Sequence, residues 1–230
     1  MKIAGLQKLT LLDFPGKTAC TVFTAGCNFR CPFCHNASLV THISEDGGIT
    51  EEEFFKFLSK RQGILDGVCI TGGEPTLQPD LEEFILKIRQ LGFLVKLDTN
   101  GYMPDKLKSL IDKGLLDYVA MDIKNSPKSY GKTVGIENFD ITPINRSIEI
   151  LKKGRVDFEF RTTVVQELHT VRDISEIGKW IKGKEKYFLQ SFVDSGDIIE
   201  EDLSGYDKNT MKELVKLLES DLPNTRLRGE

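Results

Sequence analysis

Residues 67–99 read GVCITGGEPTLQPDLEEFILKIRQLGFLVKLDT, and this stretch indicates the fold. A β-type run over 67–71 precedes a helical stretch that ends at Gly92, and a second β-type run follows over 93–98. The apolar residues at helical spacing are Leu81, Phe84, Ile85, Ile88 and Leu91. This order of strand, helix and strand is typical of a βα unit with parallel strands.

The same alternation continues along most of the chain and predicts six βα units. Thr50 and Glu53 form a capping box before one of the helices, and residues 124–141 are interpreted as a loop. Six parallel strands wound in one direction favour an α/β fold with an incomplete (β/α)6 TIM-like barrel over a doubly wound sheet. The predicted strands are 18–24, 67–71, 93–98, 117–123, 156–165 and 187–193.

Length and composition favour one domain. The 230 residues are 40% hydrophobic and 29% charged, which suits a single core over 1–230, with an N-terminal extension at 1–17 and a C-terminal helix and tail at about 205–230. A net charge of -4 provides no overall basic field for nucleic acid. No segment has the roughly 20 apolar residues of a membrane helix, so we expect a cytoplasmic protein without a membrane partner.

Cysteines and polar residues follow the predicted strands at their carboxyl ends, where barrel enzymes carry their chemistry. A buried charge is costly unless it is paired or bound to a ligand, so this convergence predicts a functional site. The segments are 27–34, 71–75, 98–101, 121–124 and 161–163.

Three of the five cysteines, Cys27, Cys31 and Cys34, lie within eight positions. Soft thiolates at this spacing favour zinc or an iron-sulfur cluster, and a three-ligand site leaves one position open for a substrate. A structural zinc site remains an alternative, with His35 or another cysteine as the fourth ligand. Cys20 and Cys69 lie in predicted strands, where a free cysteine usually packs as a small hydrophobic residue.

The Cys-x3-Cys-x2-Cys pattern, with Phe33 before its last cysteine, resembles the cluster motif of the radical S-adenosylmethionine superfamily. Gly72-Gly73-Glu74 is similar to that superfamily's second signature. Over nearly the whole chain the sequence resembles glycyl radical enzyme activating proteins, through residues 98–101, 121–124 and 161–165. The segments that look most like anaerobic ribonucleoside-triphosphate reductase activating proteins are 12–17, 23–36 and 227–229.

The resemblance implies a 4Fe-4S cluster on Cys27, Cys31 and Cys34 that binds S-adenosylmethionine. Reductive cleavage would give a 5'-deoxyadenosyl radical, which would abstract hydrogen from a glycine of anaerobic ribonucleotide reductase. Another glycyl radical enzyme or a small-molecule substrate is an alternative. Residues 35–50 contain no cysteine-rich insertion, so a separate flavodoxin- or ferredoxin-type protein would supply the electron.

The same resemblance implies roles for the strand-end residues in binding S-adenosylmethionine. Glu74 would accept a hydrogen bond from the methionyl ammonium, and Arg161 would pair with the carboxylate. Asp98 and Thr99 are similar to a monovalent-cation site. The full set implied is Phe33, Gly72, Gly73, Glu74, Asp98, Asp122, Lys124 and Arg161.

Each of these interpretations has a structural alternative. Phe33 would simply pack under the loop, residues 72–75 would form an ordinary turn, and Asp122, Lys124 and Arg161 would form a buried salt bridge. Asp98 would contact the partner's glycine loop or cap a turn.

Several residues weaken or limit the resemblance. A histidine found in the pyruvate formate-lyase relative is missing near Gln190, which leaves the adenosyl contact open. His42 and His169 lie in loop-like stretches and are expected to be solvated. An electron carrier or zinc-stabilised binding module, neither binding nor cleaving S-adenosylmethionine, is the alternative from another functional class.

Overall fold

The computed structural model describes residues 1–41 and 48–229. Its centre is one eight-stranded sheet whose strands follow chain order. β1 is antiparallel to β2, and every later strand is parallel to the one before it. The strands are β1 Ile3–Thr10, β2 Ala19–Thr24, β3 Gly67–Gly72, β4 Leu94–Thr99, β5 Tyr118–Asp122, β6 Asp157–Val164, β7 Lys186–Ser191 and β8 Thr225–Arg228.

Amphipathic helices connect the parallel strands and bury their apolar stripes in one continuous core. The predicted capping box is confirmed: Glu53 N donates to Thr50 Oγ1 at 3.1 Å, and Thr50 N donates to the Glu53 carboxylate at 3.0 Å. The helices are α1 Ala37–Thr41, α2 Glu51–Ser59, α3 Leu81–Gln90, α4 Pro104–Asp112, α5 Tyr130–Val134, α6 Thr142–Lys152, α7 Val171–Trp180 and α8 Lys208–Leu218.

The sheet curves without closing, because β1 and β8 stand at its two ends and do not pair with each other in the part of the chain that is described. This arrangement confirms the expected α/β incomplete barrel, and the six predicted strands correspond to β2–β7. None of the described helices is long and apolar enough to cross a membrane.

The interpretation of residues 124–141 as a loop is wrong, because this segment contains α5. Two strands were also not predicted: β1 lies in the N-terminal extension, and β8 follows α8 in the C-terminal segment. β1 and β8 are edge strands with polar residues at many positions, and α5 has only five residues. Such short or mixed segments lack the periodicity that indicates regular structure in a sequence.

Successive side chains along the strands alternate between the apolar core and the cavity that carries the candidate site residues. Leu97, Met121 and Phe160 are fully buried in the core. Asp98, Asp122 and Arg161, the next residues along the same strands, line a cavity inside the half-barrel. The two-residue period of a strand produces this separation, since successive side chains point to opposite faces.

Candidate active site

A cavity of about 380 Å³ lies at the carboxyl ends of the parallel strands. All three cysteines of the motif line it, and so does each residue expected to bind the cofactor. Gln190 and Thr163 line the same cavity from β7 and β6. The predicted convergence of strand-end residues is therefore a property of the structure.

The loop after β2 carries Cys27, Cys31 and Cys34. Cys34 N donates to the Cys31 carbonyl at 3.1 Å, and Phe29 N donates to Cys27 Sγ at 3.4 Å. Burial raises the pKa of the Cys27 thiol and raises that of Cys31 to about 12. These two sulfurs therefore stay protonated unless a metal displaces their protons.

The donor set fits a metal centre with soft ligands. Within residues 1–41 and 48–229, no three metal-ligating side chains already form a compact ligand cage. Three thiols nevertheless share one cavity wall, and the buried Asn28 Nδ2 beside Cys27 has no hydrogen-bond partner. A bound group with acceptor atoms would satisfy that amide.

Of the other candidate ligands, His35 also lines the cavity, whereas Cys20 and Cys69 do not. His35 stacks on Phe192, with ring centroids 5.4 Å apart and an interplanar angle of 11°. Cys20 and Cys69 are fully buried and do not line the cavity, in agreement with their predicted packing role. Cys69 is not entirely among apolar groups, since its sulfur lies 3.6 Å from Lys96 Nζ.

Gly72 and Gly73 allow the end of β3 to lie directly against the cysteine loop. Gly73 N donates to the Thr24 carbonyl and Glu74 N to the Gly26 carbonyl, each at 2.8 Å. A Cβ atom at Gly73 would overlap the Gly26 carbonyl oxygen, and Gly72 has a φ of 110°. The two glycines line the cavity, but the close contact that they permit here is between two segments of the chain and not between the chain and a ligand.

Glu74 is buried and accepts four hydrogen bonds from the protein. Thr76 provides two donors, its backbone nitrogen at 3.0 Å and its hydroxyl, while Thr99 Oγ1 and Asn100 N donate at 2.8 and 2.7 Å. Burial raises the pKa of this carboxyl group, and the four donors oppose that rise. Glu74 therefore joins the turns after β3 and β4, in addition to lining the cavity.

Oppositely charged side chains from β4, from β5 and the residue two positions after it, and from β6 form a chain of ion pairs. Arg161 lies 3.1 Å from Asp98 and 2.9 Å from Asp122, and Lys124 lies 2.9 Å from Asp122. Burial alone would raise the pKa of Asp122, but the charges of Arg161 and Lys124 outweigh it and lower the pKa to about 2. The buried salt bridge considered from the sequence is present, on the wall of the cavity.

The expected monovalent cation at Asp98 is not supported. One carboxylate oxygen of Asp98 accepts a hydrogen bond from Lys96 Nζ, and the other pairs with Arg161. Lys96, which is 1% exposed, had not been singled out in the sequence. A lysine inside a predicted strand, two residues before an aspartate on the same face, is the signal that would have identified this pair.

The expectation that His169 is solvated is wrong. This histidine is fully buried: Nδ1 accepts from Val165 N at 3.1 Å, so Nε2 carries the proton donated to the Lys124 carbonyl at 2.7 Å. Its ring contacts Phe33 edge-on, at 6.2 Å between centroids. Phe33 thus packs under the cysteine loop while also lining the cavity. His42 lies outside the described residues.

The part of the chain that matches a known protein family contains all three motif cysteines and the strand-end residues up to Arg161. A sequence profile for the radical SAM superfamily matches residues 21–181. The chain belongs to the radical SAM superfamily. Membership in this superfamily implies a 4Fe-4S cluster and S-adenosylmethionine as cofactors, and the thiols and charged residues around the cavity fit that pair.

Two relatives match this radical SAM protein over nearly its full length. A protein of Methanocaldococcus jannaschii, named as a candidate glycyl-radical enzyme activating enzyme, is 33% identical, over 98% of this chain and 95% of its own. The pyruvate formate-lyase-activating enzyme of Clostridium pasteurianum is 28% identical, over 94% of this chain and 96% of its own. Homologues of this length share the whole domain and not only the cluster motif.

Solved structures confirm the fold at low sequence identity. TYW1 with a lysine-pyruvate adduct bound has a TM-score of 0.59 and 17% identity, over 89% of this chain and 74% of its own. Streptococcus suis SuiB bound to the precursor peptide SuiA has a TM-score of 0.69 and 13% identity, over 91% of this chain and 48% of its own. These similarities establish the radical SAM fold alone.

Proposed function

We propose that this protein activates a glycyl radical enzyme, with anaerobic ribonucleotide reductase as the partner. When bound, the cluster would transfer one electron from a flavodoxin- or ferredoxin-type donor to S-adenosylmethionine, giving methionine and a 5'-deoxyadenosyl radical that takes a hydrogen atom from a glycine α-carbon. The products are 5'-deoxyadenosine and a glycyl radical in the partner. The convergence of all the predicted site residues on one cavity is the observation that carries this proposal.

The protein's own residues have distinct roles in the proposal. Cys27, Cys31 and Cys34 hold the cluster. Arg161 presents a guanidinium to the methionyl carboxylate, and Glu74 accepts from the methionyl ammonium in addition to its protein donors. Burial of Phe33 against His169 excludes water from one side of the cysteine loop.

The wall of charges favours an amino acid moiety such as that of S-adenosylmethionine. Lys96, Arg161 and Lys124 provide three positive charges, and Asp98 and Asp122 provide two negative charges. Before a ligand binds, this group carries one positive charge more than it can pair internally. A carboxylate entering beside Arg161 and Lys124 would match it.

The open side of the half-barrel supports a macromolecular substrate. β1 and β8 leave the sheet unclosed in the described residues. In this proposal, a loop of the partner protein enters the cavity from that open side. The full-length similarity to activating enzymes supports an activase over an enzyme acting on a small molecule. The choice of anaerobic ribonucleotide reductase rests on residues 12–17, 23–36 and 227–229.

The proposal is tested by measuring 5'-deoxyadenosine. Anaerobically reconstituted protein, reduced with dithionite, is mixed with S-adenosylmethionine in the presence or absence of anaerobic ribonucleotide reductase. We expect the yield to follow the amount of reductase, with no product from the Cys34→Ala variant. A yield that is the same without the reductase would contradict the activase function and favour a small-molecule substrate.

A further inference from the structure

The Lys96 side chain lies inside the half-barrel, below the cavity that holds Asp98. Lys96 is 1% exposed, and its ammonium group donates a hydrogen bond to Asp98 and lies 3.6 Å from Cys69 Sγ. Lys96 itself does not line the cavity, whereas Asp98 does. An ammonium buried this deeply needs a carboxylate partner, because moving an unpaired charge from water into the protein costs free energy.

Asp98 connects this lysine to the cavity wall. Its second oxygen lies 3.1 Å from Arg161 Nη1, and the same guanidinium also pairs with Asp122 at 2.9 Å. Arg161 is therefore shared between two carboxylates, and each carboxylate also has a lysine partner: Lys124 for Asp122 and Lys96 for Asp98. With both carboxylates paired in this way, the Arg161 guanidinium from β6 lies against the carboxylate of Asp98 on β4 and that of Asp122 on β5.

We propose that Lys96 is a positioning residue: a counter-charge built into the chain that fixes Asp98, and through it Arg161, in the orientation that binds S-adenosylmethionine. This inference rests on the proposed cofactor-binding role of Arg161. Because the positive charge at Asp98 comes from the protein, cofactor binding needs no added monovalent cation. Without Lys96, Arg161 would shift toward Asp98 and away from Asp122, and the cavity would accept a small cation in place of the missing ammonium.

The test is chemical rescue of Lys96→Ala, which leaves space beside Asp98 for a short alkylammonium ion. The affinity of the reconstituted protein for S-adenosylmethionine is measured by equilibrium binding. We expect the variant to bind about tenfold to a hundredfold more weakly, the range for loss of a charge-assisted hydrogen bond. Ethylammonium chloride should restore binding, whereas tetramethylammonium chloride, which has no N–H donor, should not.

Two further variants separate this role from general damage to the fold. Lys96→Met keeps most of the aliphatic chain and fills the space, so it should bind the cofactor as weakly as Lys96→Ala and show no rescue. Arg89→Met breaks another partly buried ion pair, that with Asp117, and neither residue lines the cavity. It should lower the melting temperature and leave the affinity for S-adenosylmethionine unchanged.

The melting temperature of the cluster-free protein gives a second readout. Ethylammonium should raise it for Lys96→Ala and have no specific effect on the wild type or on Lys96→Met. Wild-type affinity in Lys96→Ala, or equal effects of the two salts, would overturn the inference. A wild-type protein that does not bind S-adenosylmethionine would instead contradict the proposed function, and the melting temperatures would then decide whether Lys96 is the counter-charge.

Discussion

The Glu74 carboxylate lies 2.7 Å from the backbone nitrogen of Asn100, and this hydrogen bond joins the turn after β3 to the turn after β4. Asn100 in turn donates through Nδ2 to Oδ1 of Asn28, which lies in the cysteine loop, at 2.8 Å. The cysteine loop, the turn that carries Glu74 and the turn that carries Asn100 are therefore connected by hydrogen bonds. A change at Glu74 should be felt both in the stability of the cavity wall and in cofactor binding.

Replacing Glu74 by Gln should destabilise the cluster-free protein. Both oxygens of this carboxylate accept hydrogen bonds from protein groups. In Gln, an NH2 group replaces one of these oxygens, and its hydrogens would face a donor instead of an acceptor. We expect a loss of about 1–3 kcal/mol in the free energy of unfolding, measured by urea denaturation. Glu52→Gln, at an exposed position of α2, is the matched control, and equal midpoints for the two variants would contradict this role of Glu74.

The cysteine assignment predicts the iron content of the variants. Wild-type protein reconstituted under anaerobic conditions should contain about four irons per chain. Alanine at Cys27, Cys31 or Cys34 should abolish the cluster, because each removes a thiolate ligand. Cys20→Ala and Cys69→Ala should retain it, since both sulfurs lie outside the cavity lining. One zinc per chain without visible absorption would contradict the cluster.

His169 predicts a specific dependence of stability on pH. Burial lowers the pKa of this imidazole below its ordinary value of 6.5, so the unfolded chain takes up a proton at a pH where the folded chain does not. Acidification from pH 7 to pH 5 therefore favours unfolding. His169→Gln keeps a donor for the Lys124 carbonyl and an acceptor for Val165 N without a titrating ring.

The wild type should lose stability on acidification more steeply than His169→Gln, by up to about 1.4 kcal/mol per pH unit. Urea unfolding at several pH values measures the difference. The lowered pKa of His35 is present in both proteins and cancels in the comparison. Parallel pH profiles would show that His169 titrates equally in the folded and unfolded chains.

The sequence was sufficient to predict the parallel strands and the cavity. Strands β2–β7 are apolar runs between amphipathic helices, and periodicity identifies both. The site residues follow from one rule, that polar residues at the carboxyl ends of parallel strands meet at one edge of the sheet. β1 and β8 were not predicted, because an edge strand is less buried and its sequence has a weaker apolar pattern.

The contacts that bury His169 and Lys96 could not be inferred from local pattern. His169 is held by the Lys124 carbonyl, 45 positions away in the chain, and nothing in residues 165–170 indicates that contact. Lys96 has the charge typical of an exposed residue, and only its pairing with Asp98 makes burial possible. Pairings of this kind depend on how strands are aligned in three dimensions.

In the proposed reaction, a glycine of a partner enzyme loses a hydrogen atom to the 5'-deoxyadenosyl radical formed in this protein. The most direct measurement is electron paramagnetic resonance of a mixture of reduced protein, S-adenosylmethionine and anaerobic ribonucleotide reductase. Efficient transfer needs reacting atoms about 3–3.5 Å apart, and glycine has no side chain to prevent that approach. We predict the doublet of a glycine α-carbon radical, lost when the partner's glycine becomes alanine. No partner radical, together with 5'-deoxyadenosine formed at the same rate without the partner, would contradict the account.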